Sequence, residues 1–328
     1  MPEPATGDRG PVALAQEARA DRLIGAIRCL QQASGTELRL NEPMARHTSL
    51  EVGGPAAIYV VPQTVGAVCV ALRVAARFDL PLLAVGRGTN LLVLDGGFAG
   101  IILHLRESLS AITIEGVRLT AQAGATLAEV CVAAANAGLS GLEFAAGVPG
   151  SVGGAVAMNA GARAGQMADV VETVEVVRRN GALSHCARSQ LELGYRRSCL
   201  RDARCVVVSV TLRLTQSDAV AVREAMFEAV QQRCRRQPLS LGSCGSVFKR
   251  PPGDYAGRLL EAAGVKGLRI GGARFSTKHA NFIVNEGGAT AQDIVELIEM
   301  AKRRVYDVCG VKLEEEVCVI GDPLGESE

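Results

Sequence analysis

The chain has 328 residues and a mass of 34.2 kDa, which is too long for one small domain and suits two or three domains. Its 35 Lys and Arg residues are balanced by 34 Asp and Glu residues, which excludes a polyanion-binding surface over the whole molecule. With 7 Phe, 4 Tyr and 0 Trp, few rings are available to stack on bases, so we expect no nucleic-acid partner.

Residues 1–12 contain three prolines and mixed charge without periodicity, and we predict that they form a disordered N-terminal extension. The opening MPEPATGDRG has neither the basic nor the apolar region of a secretory signal. The 10 cysteines form no C-x-x-C pattern, and several lie within apolar runs. We therefore expect no disulfide framework, no metal site and a cytoplasmic location.

The first predicted elements form an α/β unit. In chain order they are a helix over 13–33, a buried strand at 57–61, a helix that begins after Thr64, and a strand at 82–85. Strands at 100–105, 111–114 and 118–123 follow, and then a helix over 127–137 whose start carries the capping-box pattern of Thr126 and Glu129. Two more β-rich stretches are predicted at 170–178 and 205–214.

The character of the sequence changes at about residues 216–218. A helix predicted over 220–232 leads into Arg233, Arg235 and Arg236, which we interpret as a solvated linker, with phosphate docking as the alternative. A second α+β unit follows, in which a helix begins after Thr290 and ends at Gly310. A strand at 317–320 is the last predicted element.

Two glycine-rich segments are candidate ligand-binding loops. The first, 86–91, follows a strand, and its exposed backbone N–H groups could surround a phosphate. It is not a dinucleotide fingerprint, because Leu91 replaces the third glycine, nor a P-loop, which needs Lys followed by Ser or Thr. Taken alone, a tight turn explains it equally well.

The second segment lies in 144–162, an uncharged stretch that its glycines and Pro149 exclude as a membrane span. Four glycines between 147 and 154 suit a backbone lying flat against a planar ligand or its pyrophosphate. Together, the two loops suggest a dinucleotide bound by backbone groups.

Seven segments of the chain carry a family resemblance. In order they are RHTSLEVGGPAAIYVVP, GRGTNLLVLDGGFAGIIL, GLEFAAGVPGSVGGAVAMNAGA, LGYRRS, CGSVFKRPPGDYAGRLLEAAGVKG, GGARFSTKHANFIVN and LEEEVCVIG. They resemble the UDP-N-acetylenolpyruvoylglucosamine reductases, flavoproteins that make UDP-N-acetylmuramate for bacterial peptidoglycan. The resemblance covers about residues 40–322.

The resemblance implies an α+β protein: a two-lobed FAD-binding domain of the vanillyl-alcohol-oxidase type followed by a smaller α+β substrate domain. We place the first domain at 13–216, with lobes at about 40–108 and 109–216, the second at 217–322, and a tail at 323–328. It also implies non-covalent FAD, NADPH as co-substrate and UDP-N-acetylglucosamine enolpyruvate as substrate. We expect no membrane insertion and no obligate protein partner.

The family's site residues transfer to matching positions in this sequence. Its catalytic arginine, serine and glutamate correspond to Arg196, Ser246 and Glu316. Residues implied to contact substrate are Tyr195, Lys249 and Arg250. Residues implied to hold FAD are Gly86, Arg87, Gly88, Thr89, Asn90, Leu91, Gly147, Pro149, Gly150, Gly153, Gly154 and Ala155.

In the implied reaction, NADPH reduces the flavin, and hydride then passes to C3 of the enolpyruvyl ether. A fixed guanidinium can stabilise the charge that builds on the substrate carboxylate, and a serine hydroxyl can supply a proton to C2. Glu316 can complete this network in either protonation state.

Two departures assign the chain to a branch of the family. Arg250 stands where some members have asparagine, and a cation there would suit a diphosphate. The interval between Arg196 and Ser246 has no room for the tyrosine-bearing loop with which one branch covers its substrate.

Without the resemblance, each site residue has an ordinary explanation. Either Arg196 or Arg197 could be a surface arginine, Ser246 a turn-capping hydroxyl, and Glu314–Glu316 a solvated strand end. His279 and Asn281 are either ligand contacts or a buried structural pair. His47 either lies near the flavin or caps a turn. Cys244 fills a position that requires a small residue. An oxidase of the same fold and a non-catalytic paralogue are the alternative functions.

Overall fold

The computed structural model describes residues 11–106, 108–162, 164–201 and 205–324. Residues 1–10 of the predicted N-terminal extension and residues 325–328 of the predicted tail lie outside the described residues. The first helix spans Pro11–Gln31, so it begins inside the segment predicted to be disordered.

A four-stranded sheet forms the first layer of the fold. Its strands, in spatial order, are Thr36–Pro43, Pro55–Pro62, Phe98–His104 and Leu82–Val85. The first pair is antiparallel and the other two pairs are parallel. Helix Val65–Arg77 packs on this sheet, and its first turn is capped by Thr64, whose side chain accepts a hydrogen bond from Ala67 N.

A five-stranded antiparallel sheet forms the second layer. Its strands, in spatial order, are Leu183–Ala187, Val171–Arg178, Cys205–Arg213, Arg118–Gln122 and Ile112–Glu115. Helix Leu127–Asn136 begins with the predicted capping box of Thr126 and Glu129. One hydrophobic core joins both layers, from Ile58 in the first sheet to Val210 in the second.

The C-terminal part is built around a second hydrophobic core, to which Leu50, Val52 and Leu92 of the first part of the chain also contribute. Helix Ala219–Arg236 precedes a four-stranded antiparallel sheet and two further helices. The strands, in spatial order, are Gly242–Ser243, Ile283–Asn285, Ala273–Phe275 and Arg269–Ile270, and the helices are Ala256–Ala262 and Ala291–Cys309. The second of these helices has a full capping box at Thr290 and ends at Gly310, whose φ of 68° is left-handed.

The last strand returns to the first part of the chain. Strand Cys318–Ile320 pairs in parallel with Leu91–Val93, which directly follows the first glycine loop. The C-terminal unit is therefore tied to the segment that directly follows the first glycine loop.

Short elements complete the described chain. The 3₁₀ helices are Met44–Arg46, Glu143–Ala145, Met167–Asp169, Arg188–Gln190 and Cys199–Arg201. Two-residue strands pair Leu139–Ser140 with Thr215–Gln216, and Gly161–Ala162 with Gly165–Gln166. No helix in the described ranges is both long enough and apolar enough to span a bilayer.

The structure corrects several sequence predictions. Strands Thr36–Pro43 and Leu183–Ala187 were not predicted, because both are edge strands with few apolar residues and at least half of their residues exposed. The stretch 144–162 is not all loop, since it contains helix Val152–Ala157. The basic run Arg233–Arg236 is not a linker either, because helix Ala219–Arg236 continues through it.

Candidate active site

Arg196 and Glu316 form an ion pair in which the Arg196 Nε donates to Glu316 Oε1. Both side chains are largely shielded from water, at 20% and 13% exposed. Arg196 lies in a tight turn closed by reciprocal backbone hydrogen bonds between Gly194 and Arg197, and its φ of 52° is left-handed. A non-glycine residue in this conformation costs about 1–3 kcal/mol, which the turn must offset.

The turn separates the two neighbouring arginines. Arg196 points inward to Glu316, whereas Arg197 has a 76% exposed side chain that lies 3.9 Å from Glu192 at the surface. From the sequence alone, only the position in the Tyr-Arg motif distinguishes Arg196 from Arg197 as the site residue.

The glutamate run is separated in the same way. Glu314 pairs with Lys249, Glu315 pairs with Lys302, and only Glu316 faces Arg196. Burial raises the pKa of Glu316, and this effect outweighs the opposing charge of Arg196. The run is therefore not a uniformly solvated strand end.

Ser246 is brought beside Glu316 by backbone pairing. Glu316 N donates to the Val247 carbonyl at 2.7 Å, and Val247 N donates to the Asn281 carbonyl at 2.9 Å. The half-buried Ser246 hydroxyl makes no hydrogen bond to any residue in the described part of the chain. Its proton is therefore available to a molecule in the adjoining cavity.

A cavity of about 460 Å³ contains all three predicted catalytic residues. Its lining residues are Tyr195, Arg196, Ser246, Phe248, Arg250, Tyr255, Ala256, Gly257, Arg258, Glu261, His279, Asn281 and Glu316. The volume lies within the range of small-molecule sites.

Two of the three predicted substrate contacts line this cavity. The Tyr195 hydroxyl accepts a hydrogen bond from Arg250 N at 3.1 Å, and the Arg250 guanidinium lies 4.1 Å from the centre of the Tyr255 ring. Lys249 does not line the cavity, because its ammonium group pairs with Glu314.

His279 and Asn281 have different roles. Asn281 is structural, since its side chain accepts from Phe248 N at 3.0 Å and donates to Phe248 O at 2.9 Å. His279 lines the cavity, and burial lowers its pKa, which favours the neutral ring. Because its Nδ1 accepts from Asn281 N, the proton of the neutral ring is on Nε2.

The two glycine loops lie against each other. The Thr89 hydroxyl donates to the Pro149 carbonyl at 3.4 Å, and a methyl group added to Gly86 would collide with the Ser151 hydroxyl. The backbone N–H groups of residues 87–90 and of Gly150 have no acceptor among the described residues. They belong to the parts of the two loops that lie against each other, since Thr89 contacts Pro149 and a methyl group on Gly150 would lie 3.3 Å from the Thr89 hydroxyl.

Some of the predicted FAD residues are exposed and can contact a ligand, whereas others pack against the rest of the protein. Gly154 is exposed, and a methyl group there would meet only the Ser151 hydroxyl at 3.5 Å. Gly88 and Gly153 instead pack on protein backbone, at His47 and Ala123. Arg87 and Pro149 are exposed beside the loops, whereas the side chains of Leu91 and Ala155 are buried in the core.

Two predicted FAD residues also contact distant parts of the chain. The Asn90 side chain donates to the Glu316 carbonyl at 3.0 Å. A methyl group added to Gly147 would lie 3.3 Å from Arg233 Cδ, on helix Ala219–Arg236.

The loops suit a dinucleotide. Unpaired backbone N–H groups from two contacting loops can surround a pyrophosphate, and glycines leave room for close approach. No group of three or more His, Cys, Asp or Glu residues among those described is arranged to hold a metal ion.

His47 and Cys244 serve the structure. The His47 ring lies between the Glu42 carboxylate, 2.8 Å from its Nε2, and the Tyr59 hydroxyl, 3.0 Å from its Nδ1. This fixes the segment on which Gly88 packs. Cys244 is buried, and burial raises the pKa of its thiol to about 12.

Tyr255, Arg258 and Arg233 are near the site but were not predicted to belong to it. Tyr255 is 59% exposed at the cavity, and Arg258 there pairs with Asp254. For Tyr255 and Arg258, the sequence signal that could have indicated the site is their position shortly after Lys249 and Arg250, since one is aromatic and the other is a cation.

Comparison with known proteins shows what the chain is similar to. The family model described as UDP-N-acetylenolpyruvoylglucosamine reductase, C-terminal domain, matches residues 237–320, and an FAD binding domain model matches residues 56–187. UDP-N-acetylenolpyruvoylglucosamine reductase of Exiguobacterium sibiricum is 43% identical over 283 residues, covering 86% of this chain and 93% of the relative. The Clostridium botulinum protein of that name is 42% identical over 283 residues, covering 86% and 92%.

The crystal structure of UDP-N-acetylenolpyruvylglucosamine reductase from Thermus caldophilus superposes with a TM-score of 0.74 at 38% identity, covering 87% of this chain and 98% of that one. The predicted arrangement is confirmed: an FAD-binding domain is followed by a smaller α+β domain. The resemblance found in the sequence is likewise confirmed by relatives matched over nearly their whole length. The chain belongs to the UDP-N-acetylenolpyruvoylglucosamine reductase family.

Proposed function

We propose that this chain reduces UDP-N-acetylglucosamine enolpyruvate to UDP-N-acetylmuramate for peptidoglycan synthesis, with bound FAD and with NADPH as co-substrate. The observation that carries the proposal is the meeting of Arg196, Ser246 and Glu316 in one cavity. They come from three separate segments, and relatives of this chain carry the name of that reductase.

FAD would be held by the backbone N–H groups of residues 87–90 and Gly150, with Gly154 leaving open space beside them. When bound, FAD supplies the hydride-transfer chemistry that no side chain of the cavity can supply. The domain boundaries inferred from the sequence, at about residues 216–218, would place the cofactor in the first domain and most of the cavity in the second.

Arg196 would stabilise the negative charge that develops on the substrate carboxylate. Its Nε is already occupied by Glu316, which fixes the plane of the guanidinium. Its Nη2 also donates to the Gly161 carbonyl at 3.4 Å, which holds the guanidinium further. The N–H groups that remain can then face the carboxylate without reorganising, and donors fixed in advance in a shielded site stabilise developing charge well.

Ser246 would supply the proton to C2. Its hydroxyl faces the cavity without a partner in the described chain, so no competing hydrogen bond must break first. Cys244 is a poor alternative donor, because burial raises the pKa of its thiol to about 12.

The UDP part of the substrate would lie along Tyr195, Arg250 and Tyr255. Arg250 adds a positive charge at this side of the cavity, and the exposed tyrosine rings offer stacking surfaces. This pattern replaces the covering loop that the sequence lacks.

A visible spectrum of the purified protein tests the cofactor assignment. NADPH oxidation is then followed with and without the UDP-enolpyruvyl sugar, and the product is identified by mass. We expect substrate-dependent NADPH oxidation and a product two hydrogens heavier than the substrate. A protein that binds FAD and oxidises NADPH only with oxygen, leaving the sugar unchanged, would contradict the proposal and favour an oxidase.

A further inference from the structure

Asn159 is a buried polar residue that follows helix Val152–Ala157, in the uncharged stretch 144–162. Its side chain is shielded from water, with 1% of the residue exposed, and its φ of 43° is left-handed. Asparagine tolerates this conformation better than most residues, but glycine adopts it more easily. The backbone conformation therefore does not explain why an amide side chain is buried at this position.

The Asn159 side chain makes three hydrogen bonds. Its Oδ1 accepts from Ala168 N at 2.8 Å. Its Nδ2 donates to the Gly194 carbonyl at 2.8 Å and to Gln166 Oε1 at 3.1 Å. Because a backbone N–H can only donate and a backbone carbonyl can only accept, the orientation of the amide is fixed. An aspartate of the same shape would keep the first contact and lose both donors.

The contact with Gly194 bears on the position of Arg196. The Gly194 carbonyl also accepts from Arg197 N at 3.1 Å, and this bond closes the turn in which Arg196 has its left-handed φ. The Asn159 amide donates to the same carbonyl. It therefore fixes one end of the turn to the segment that follows helix Val152–Ala157.

Two further hydrogen bonds join the same two segments. The buried Ser198, just after the turn, donates from its Oγ to the Ala157 carbonyl at 2.5 Å. Arg196 Nη2 itself donates to the Gly161 carbonyl at 3.4 Å. Of the three contacts between the segments, the one from Asn159 is the one in which the segment after the helix uses a side chain, so it can be removed there by substitution.

We propose that Asn159 is a positioning residue for Arg196 in the reduction of the enolpyruvyl group, an inference that rests on the proposed function. The guanidinium must meet the substrate carboxylate as negative charge develops, and a small displacement of such a group removes much of its effect. Reduction of the flavin by NADPH does not involve the substrate carboxylate. Loss of the Asn159 amide should therefore slow the second half-reaction alone.

The test compares Asn159→Gly, which suits the left-handed backbone and removes the amide, with Gln166→Ala, which removes only the other acceptor of Nδ2. We expect Asn159→Gly to keep its FAD and its rate of flavin reduction by NADPH. Reoxidation by the UDP-enolpyruvyl sugar, followed by rapid-mixing absorbance, should slow about 10²-fold. Gln166→Ala should keep both rates. Asn159→Asp, which presents an oxygen to the Gly194 carbonyl, should also slow reoxidation.

A double-mutant cycle separates positioning from general destabilisation. In an Arg196→Gln background, Asn159→Gly should slow reoxidation no further, because the guanidinium that the amide positions is absent. Additive slowing in the double variant would overturn the inference, as would unchanged reoxidation, loss of FAD or equal slowing of both half-reactions in Asn159→Gly. If Asn159→Gly does not fold, the cycle is made with Asn159→Asp. An unsubstituted protein that binds FAD and leaves the sugar unchanged would instead show that the proposed function is wrong.

Discussion

The side-chain amide of Asn90 donates a hydrogen bond to the backbone carbonyl of Glu316 at 3.0 Å, and the Asn90 carbonyl accepts one from Cys318 N at 3.1 Å. One residue of the first glycine loop thus contacts the backbone at both Glu316 and Cys318, and so fixes the segment that carries the carboxylate proposed to be catalytic. The sequence had placed Asn90 only among the FAD contacts.

Asn90→Ala should lower kcat more than it lowers FAD content. Removing the amide leaves the Glu316 carbonyl without this donor, so the Glu316 carboxylate is held less firmly in position. Such a hydrogen bond contributes about 1 kcal/mol to stability. Thr89→Ala, which removes only a 3.4 Å contact between the loops, is the control. Loss of flavin from Asn90→Ala with full turnover in the remaining holoenzyme would contradict this role.

The protein should purify yellow with non-covalent FAD. Neither loop, at residues 86–91 and 147–155, contains a histidine or cysteine that could form a covalent flavin linkage. Acid or heat denaturation should release all flavin into the supernatant, as measured by absorbance. Flavin that remains with the precipitated chain, or a colourless protein that cannot be reconstituted, would show that the assignment is wrong.

Gly154→Val should abolish FAD binding while leaving the fold intact. A methyl group at Gly154 would meet only the Ser151 hydroxyl, at 3.5 Å, so a larger side chain would project from the exposed loop surface where the cofactor is expected. Gly66→Val, at an exposed glycine in the first turn of helix Val65–Arg77, is the control. Gly88→Val is a less specific test, because its side chain would collide with the His47 carbonyl and φ there is 58°. Full FAD occupancy in Gly154→Val would exclude this part of the loop from the cofactor site.

Ser246→Ala should separate the two half-reactions. Reduction of the flavin by NADPH needs no proton at C2 and should keep its rate, whereas reoxidation by the UDP-enolpyruvyl sugar should slow by about 10²–10⁴-fold. Rapid-mixing absorbance measures both steps. Ser246→Cys should recover part of the loss, because a thiol is also a proton donor.

Equal slowing of both steps would mean that Ser246 shapes the flavin site. Unchanged reoxidation in Ser246→Ala would assign the proton to Glu316 or to water. Cys244→Ala serves as the control for the buried thiol nearby, and we expect it to leave both rates unchanged.

The pH dependence of kcat/KM should report Glu316. Burial raises the pKa of this carboxyl, so as the pH falls it takes up a proton, and loses its ion pair with Arg196, at a higher pH than an ordinary glutamate would. The acid limb of the profile should therefore lie above the usual carboxylate range. It should be absent in Glu316→Gln; an unchanged limb in that variant would assign the ionisation to another group.

The same shift has a defined sign for stability. Because the folded-state pKa of Glu316 is raised, the stability associated with its neutral form is fully present below its ordinary pKa and is lost as the pH rises through the raised value. Glu316→Gln should remove this contribution to the pH dependence of unfolding.

Local signals in the sequence were sufficient to predict where the capped helices begin. Thr64, Thr126 and Thr290 each accept the predicted backbone hydrogen bond, because a cap depends only on residues within one helical turn. Edge strand Thr36–Pro43 was not predicted, since half of its residues are exposed and its apolar alternation is limited to Leu38 and Leu40.

The site could not be predicted from local sequence patterns, because it is formed by contacts between residues that are far apart in the chain. Glu314, Glu315 and Glu316 are indistinguishable in sequence, and only the distant Lys249, Lys302 and Arg196 give them different environments. The family resemblance selected Glu316 before the fold was known.

The parallel pairing of Cys318–Ile320 with Leu91–Val93 also affects the order in which parts of the newly made chain become functional. Asn90 leaves the ribosome long before its partner, since 226 residues separate it from Glu316. Loop closure over such a distance is entropically costly and comes late in folding. A nascent chain could thus form both glycine loops and bind cofactor before it has any capacity to turn over substrate, and activity would appear in one step when the last strand docks.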